Sequence, residues 1–420
     1  MHLDRALVVV ERRAPPDGSY TDFDIRHIEG PLKSSGMVDN IDILYYNDYT
    51  PNCNDALINY CLQKKPRVVL LSLQMVPTQK KGEPTPDCIW KITHQLSIPT
   101  VAFWFDVWID RVAETLERYL PSITLNMMLG ADGSSHKTLP LKGTNYIYTG
   151  LTFDERLFSK PEGIRDIPVG ILGSLLNYRR PWIDGLREFG IPVYTGGGQL
   201  VGGKLPSLLT DEAPPLWMPY EEYIRLTSRL KIALNFSAFN NPDYHSIASP
   251  ARRRAQEVLD WLAPTLKSSF SVLKNPRKAK NIIPTLKNGA KILLRKARYQ
   301  PRARVWEALW CRTFLLEGDN PVTSIYFEPY VDYVPFTTLR DLVDKIRYYL
   351  ENEGERDRIR MHGRATVEKY YNARIYWENT FEAIGMPSGG EHYHHPGEIW
   401  NKAHFDNWYL STSTRNMRDL

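Results

Sequence analysis

Pro168–Gly198 reads PVGILGSLLNYRRPWIDGLREFGIPVYTGGG. Its first seven residues are a short apolar run that enters a glycine turn, which predicts a buried strand ending at Gly173–Ser174. Residues 178–190, YRRPWIDGLREFG, then carry apolar positions at helical spacing and close on a glycine, as a helix and its terminus do. A second short run, IPVYTGGG over 191–198, reads as the next strand. Strand, helix and strand in that order imply a βαβ unit and a parallel sheet.

The same alternation extends in both directions. Upstream, ALVVVE (6–11), DILYY (42–46), RVVLLSL (67–73) and PTVAFWF (99–105) read as buried strands, and 54–65 and 111–120 as helices. ITLNMML (123–129) and TNYIYTG (144–150) continue the series. Near residue 160 the pattern restarts with the quoted stretch. Downstream come a helix over 221–230, a strand over 231–237, a helix over 304–310, a strand over 313–317, and helices over 339–353 and 356–371. The expectation is an α/β chain of two successive domains, 1–160 and 161–375, with a basic insertion at about 240–300 and a helix end and tail over 376–420. Two such domains would face each other across a cleft. Ligands of open parallel sheets bind beyond the carboxyl ends of strands, which is where Gly173 and Ser174 fall.

Composition bounds the rest. With 420 residues and 42% apolar content the chain can bury sizeable cores. Four scattered cysteines without CxxC spacing argue against a disulfide framework or a zinc site and point to a reducing compartment. The apolar run Ala6–Val10 is too short for a secretory signal, and no run of about 18 apolar residues could span a membrane. A cytoplasmic protein is expected. Net charge is +5, but fifteen Lys and Arg between Arg252 and Arg304 face only Glu257 and Asp260. That segment carries +13, which leaves −8 for the remainder.

Within Arg304–Glu317, RVWEALWCRTFLLE, a lone glutamate stands among Trp306, Leu309 and Trp310. Glu307 is thus a partly buried, paired charge or a ligand contact. The plain alternative is a helix-surface glutamate paired with Arg304 three residues earlier, worth about 0.2–0.5 kcal/mol.

Four pieces of the second half carry a resemblance to a known family. They are 169–198, YEEYIRLTSRLKIALNFS (220–237), QPRARVWEALWCRTFLLE (300–317) and FEPYVDYVPFTTLRDLVDKIRYYL (327–350). In order and spacing they resemble the donor-binding domain of GT-B glycosyltransferases, in particular the CgeB-like, spore-maturation-type group. TGLTFDERLF (149–158) resembles that group's interdomain stretch. The resemblance implies two Rossmann-like domains around a central cleft and transfer of a sugar from a nucleotide-diphosphate-sugar donor. No Asp-x-Asp sits at a predicted strand end, so a divalent-cation-dependent donor site is not expected, and no cofactor is expected. It aligns Glu307 with the glutamate that accepts hydrogen bonds from the nucleotide ribose. An ionised carboxylate offers only acceptors and a ribose diol offers two donors. Arg304 and Arg302 would then face the diphosphate together with the helix N-terminus, with Arg179 as a further candidate and the Gly173–Ser174 turn allowing close backbone approach. Two positions depart from the pattern: Tyr299 stands where many retaining enzymes carry a first glutamate, and Arg312 where the family has a glycine.

Asp106, at the end of the strand over 99–105, is the candidate general base for an acceptor hydroxyl, with a helix N-cap as its plain alternative. His94 and His136 are lone histidines, and HYHH (392–395) lacks a carboxylate at ligand spacing, so no metal site is expected. Segment 252–298 reads as a solvated insertion or as a surface that docks on anionic membrane, which would suit a lipid-linked or other glycan acceptor. It holds no nucleic-acid-binding motif, and no nucleic-acid partner is expected. The other readings on this fold are a sugar-nucleotide epimerase or hydrolase, or a non-catalytic nucleotide-sugar-binding or nucleic-acid-associated protein.

Overall fold

The structure, a computed structural model, describes residues 2–12, 25–73, 83–104, 116–129, 146–159, 163–173, 179–196, 219–236, 238–239, 298–299, 302–320 and 322–386. Two parallel sheets organise them. The first contains β1 (Leu3–Val10), β2 (Val38–Tyr45), β3 (Val68–Leu71), β4 (Thr100–Trp104), β5 (Leu125–Leu129) and β6 (Tyr146–Thr149), in the order β2-β1-β3-β4-β5-β6. The second contains β7 (Ile167–Leu172), β8 (Tyr194–Gly196), β9 (Leu230–Asn235), β12 (Phe314–Gly318) and β13 (Val334–Phe336), in the order β13-β12-β9-β7-β8. Between β9 and β12, β10 (Ala238–Phe239) and β11 (Arg298–Tyr299) form a separate antiparallel ribbon.

The helices are α1 (Gly30–Ser35), α2 (Cys53–Lys64), α3 (Pro86–Trp90), α4 (Arg180–Glu188), α5 (Tyr220–Arg229), α6 (Ala303–Trp310), α7 (Thr323–Tyr326), α8 (Leu339–Glu351), α9 (Glu353–Tyr370) and α10 (Ala373–Ala383). Their ends follow local chemistry. Pro181 opens α4, where its missing N–H costs nothing. The Thr338 hydroxyl accepts from the Asp341 N–H at the start of α8 (3.1 Å), and Asn372 accepts from the Ile375 N–H at the start of α10 (2.9 Å).

Strand alternation divides the interior into three cores. In β1, Ala6, Val8 and Val10 face one side while Leu7 and Val9 face the other. In β12, Leu315 faces the same inner core as Ala6, whereas Phe314 and Leu316 face the outer side of the second sheet. Both faces of each central strand are therefore covered, which is why these strands read as unbroken apolar runs. The inner core is continuous between the halves: Phe103, Met127 and Ile147 belong to it together with Leu172, Trp306 and Trp377.

Two features close that seam. α10 turns back and packs on α1 of the first half. Gly150, at the end of β6, lies so close to α6 and α9 that a Cβ there would sit 3.1 Å from both Trp306 and Tyr371 side-chain carbons. Only a residue without a side chain fits at this spacing without displacing a ring. Among the described residues no helix is long and apolar enough to cross a membrane. The four cysteines are buried free thiols.

Candidate functional site

The order of the second sheet determines where a ligand can enter. From β7 the chain moves outward to β8 and then returns to the opposite side of β7 as β9. The connections leaving β7 and β9 thus diverge at their carboxyl ends, and such a divergence makes a crevice. Gly173 follows β7 at this end, and Asn235 ends β9. Because β12 is parallel to β9, the helix that precedes it, α6, must begin at the crevice and run away from it.

Arg304 occupies the first turn of α6, and its guanidinium lies against Gly173. A Cβ at Gly173 would fall 2.1 Å from an Arg304 terminal nitrogen, and the backbone there has φ +111°, a conformation that L side chains rarely adopt. The Gly173 N–H is fixed by the Gly196 carbonyl at 2.8 Å. Arg304, Tyr223, Asn235, Leu172 and Ala308 line one pocket between the strand ends and helices α5 and α6. Arg302 stands at the N-cap of α6, half-buried, and offers no side-chain acceptor to the first-turn N–H groups. A helix start of this kind suits an anionic ligand.

Glu307 lies one turn further along α6 and is buried. It does not pair with Arg304. Its two oxygens accept from two tyrosines of α5, Tyr220 O–H to Oε1 at 3.1 Å and Tyr223 O–H to Oε2 at 2.8 Å. The two rings stack with centroids 5.9 Å apart and planes 14° from parallel. Arg26, from the first half, places its guanidinium 4.5 Å above the Tyr220 ring. Burial first, and the Glu307 charge second, push both tyrosine hydroxyls far above the usual range, so both remain O–H donors at ordinary pH.

The structure therefore brings Gly173, Arg304 and Glu307 to one end of the second sheet. Arg179 sits at the N-cap of α4 with its side chain buried, and its carbonyl accepts from the Trp182 N–H at 3.1 Å. Ser174, Asp106, His136, HYHH (392–395) and the basic residues from Arg252 to Lys296 lie outside the described residues. His94 is exposed on the first half, with Nε2 3.3 Å from the Pro121 carbonyl. Among the described residues no group of three or more His, Cys, Asp or Glu could hold a metal ion.

Tyr220 and Tyr223 were not singled out from the sequence. The signal was the YEEY spacing, which puts two hydroxyls on one helix face opposite a lone glutamate. The two departures from the family pattern fall at opposite ends of the sheet. Tyr299 is in β11, paired with Ala238 above the carboxyl end of β9. Arg312 follows the far end of α6 in a left-handed conformation, φ +53°, and its carbonyl accepts from Arg360 at 3.4 Å. The left-handed backbone explains a family glycine there, and the topology places Arg312 away from the crevice.

The chain has two parallel sheets, a shared inner core and a returning C-terminal helix, and comparison with solved structures decides the architecture. The fold is GT-B. HepE from Anabaena, in complex with UDP-glucose, superposes with a TM-score of 0.54 at 9% identity over 91% of this chain and 100% of its own. An alpha-glucosyltransferase in complex with UDP-glucose and DNA containing an abasic site gives 0.55 at 11% identity over 91% and 99%. Sucrose-phosphate synthase from Thermosynechococcus elongatus gives 0.52 at 9% identity over 91% and 99%. Residues 269–381 match a family described as glycosyl transferase-like. No curated protein matches the chain. In this GT-B chain the family match includes Arg302, Arg304 and Glu307, so it overlaps the site that the geometry delimits.

Proposed function

We propose that the chain transfers a sugar from a nucleotide-diphosphate-sugar donor to an acceptor, with the donor held by the second half. The observation that carries this is the placement of the Arg304 guanidinium on the Gly173 turn, at the start of α6 and one turn from Glu307. A cation and open helix N–H groups suit the diphosphate, and a carboxylate suits the ribose diol. The glycosyl transferase-like match and the UDP-glucose complexes of HepE and the alpha-glucosyltransferase support the same donor class.

In this reading transfer proceeds by positioning and by stabilisation of the departing diphosphate, without a divalent cation. Arg302 and Arg179 add positive charge at the two helix starts, Gly173 allows the close approach with Ser174 as a further donor-binding residue, and Asp106 serves as base toward the acceptor. The CgeB-like assignment rests on the four sequence pieces between 169 and 350. A lipid-linked acceptor, met by a cytoplasmic protein docked through 252–298, accounts for that segment's charge.

The test is thermal unfolding with UDP-, GDP-, CDP- and TDP-sugars, followed by detection of released sugar without acceptor. One donor at 100 times its dissociation constant should add about 2.7 kcal/mol to stability. A transferase then releases free sugar slowly. Rapid turnover would indicate a hydrolase, binding with no release a non-catalytic protein, and failure to bind any donor would overturn the donor site.

A further inference from the structure

We propose that Tyr220 and Tyr223 are positioning residues that lock the Glu307 carboxylate in the orientation that distinguishes a ribonucleotide from a 2′-deoxyribonucleotide. This deepens the donor reading and rests on Glu307 as the ribose acceptor.

A carboxylate offers about four acceptor positions, two on each oxygen. Tyr220 takes one on Oε1 and Tyr223 takes one on Oε2. One position is left on each oxygen, which matches the two O–H donors of a ribose diol. A glutamate in water turns freely about its last torsion, whose energy wells are broad. Two fixed donors on opposite oxygens remove that freedom.

The tyrosines are themselves fixed. Both project from α5, four residues inclusive apart on one face, and their rings stack 14° from parallel. Arg26, from the first half, covers the Tyr220 ring at 4.5 Å. Tyr223 also lines the pocket that holds Arg304, so the orienting group borders the ligand space. With the carboxylate held in one plane, a nucleotide lacking the 2′ hydroxyl leaves a buried acceptor without its donor. Sites built to hydrogen-bond a hydroxyl reject the analogue that lacks it for this reason. Without the tyrosines the carboxylate can turn and satisfy itself elsewhere, and the distinction fades.

The experiment is calorimetric titration of wild type, Tyr223→Phe and Tyr220→Phe. The probes are uridine, guanosine, cytidine and adenosine diphosphates, with the tightest binder compared against its 2′-deoxy counterpart. Wild type should prefer the ribonucleotide by about 10-fold or more, the scale of one hydrogen bond to a charged group. Either Phe variant should reduce that preference to about 3-fold or less, mainly through weaker ribonucleotide binding. The phenylalanine ring keeps the packing, and each variant checks the other.

Absence of any preference in wild type would remove the ribose role of Glu307 and this proposal with it. A wild-type preference that survives unchanged in both variants overturns the positioning role but leaves Glu307 in place. Equal weakening for both nucleotides, or loss of all binding in both variants, marks the tyrosines as structural and also overturns it.

Discussion

His27 gives the protein an acid-sensitive seam. It lies on the π-helical turn Ile25–Glu29, is fully buried, and has Nδ1 3.2 Å from the Thr152 carbonyl. Its ring meets Phe153 edge-on at 4.8 Å. Burial, assisted by the neighbouring Arg26 charge, lowers its pKa from 6.5 to about 3. The unfolded chain therefore takes up a proton near pH 6.5 that the folded chain refuses until near pH 3. Stability from this group is complete above 6.5 and is lost progressively as pH falls toward about 3. Between about pH 7.5 and about pH 5 the loss is about 2 kcal/mol, from 0.59 kcal/mol multiplied by the logarithm of about 30. Burial raises Glu29 and Glu155, and these carboxyls act in the opposite direction, so wild type alone cannot isolate the histidine. The assay is urea unfolding of wild type and His27→Gln at both pH values. The variant should lose about 2 kcal/mol less than wild type on acidification. Equal losses would mean that His27 already carries a proton in the folded protein, and the argument from burial would fail.

Three further outcomes are expected. Arg304→Gln and Arg302→Gln should each weaken binding of a nucleoside diphosphate far more than binding of the bare nucleoside, read by calorimetry; equal loss would place these arginines away from the phosphates. Gly173→Ala should weaken nucleotide binding by at least about 10-fold, because its Cβ displaces the Arg304 guanidinium and its backbone is strained, and an unchanged dissociation constant would refute that geometry. In cosedimentation, the protein should bind anionic but not neutral vesicles, and substitution of Lys274, Arg277, Lys278 and Lys280 by Gln should release it while donor binding persists; wild type that ignores anionic vesicles at low salt would leave 252–298 a solvated insertion.

The central strands were legible because both their faces are buried. β3 and β4 are apolar at nearly every position, and β1, β7, β9 and β12 each hold an apolar run that composition alone marks. β2 was legible only in part. Apolar content marks 42–46, but the strand begins at Val38, because an edge position leaves Asp39 and Asn40 exposed. The β10–β11 ribbon joins residues on either side of a long segment, and no local pattern encodes that pairing. α10 presents the same difficulty. The sequence pattern ends the last clear helix at 371 and reads 376–420 as a helix end and tail, yet Asn372 caps a new helix, Ala373–Ala383, that docks on the first half. At the site, Glu307 was legible as a carboxylate among apolar neighbours. Its partners were not, because tyrosines at helical spacing read equally well as a core face, and only the fold brings α5 against α6.

The eight residues of α6 explain why this helix is buried almost throughout. Successive residues on a helix turn by about 100°, so positions three or four apart share a face and adjacent ones do not. Arg304 and Ala308 face the pocket at the strand ends, and Glu307 turns to the tyrosines of α5. Trp306 and Trp310 take the opposite direction. Trp306 packs edge-on against Tyr326, Phe327 and Tyr371, and Trp310 lies beneath the Arg364 guanidinium at 4.5 Å. One face thus lines the pocket and meets α5 while the other anchors the seam on which Gly150 rests. Helical spacing keeps the two roles apart in side chains but joins them in one rigid element. A shift of the seam moves the carboxylate and the guanidinium together, and their spacing relative to each other is preserved. That constraint is what a site needs if it must hold a ribose and a diphosphate of the same donor at once.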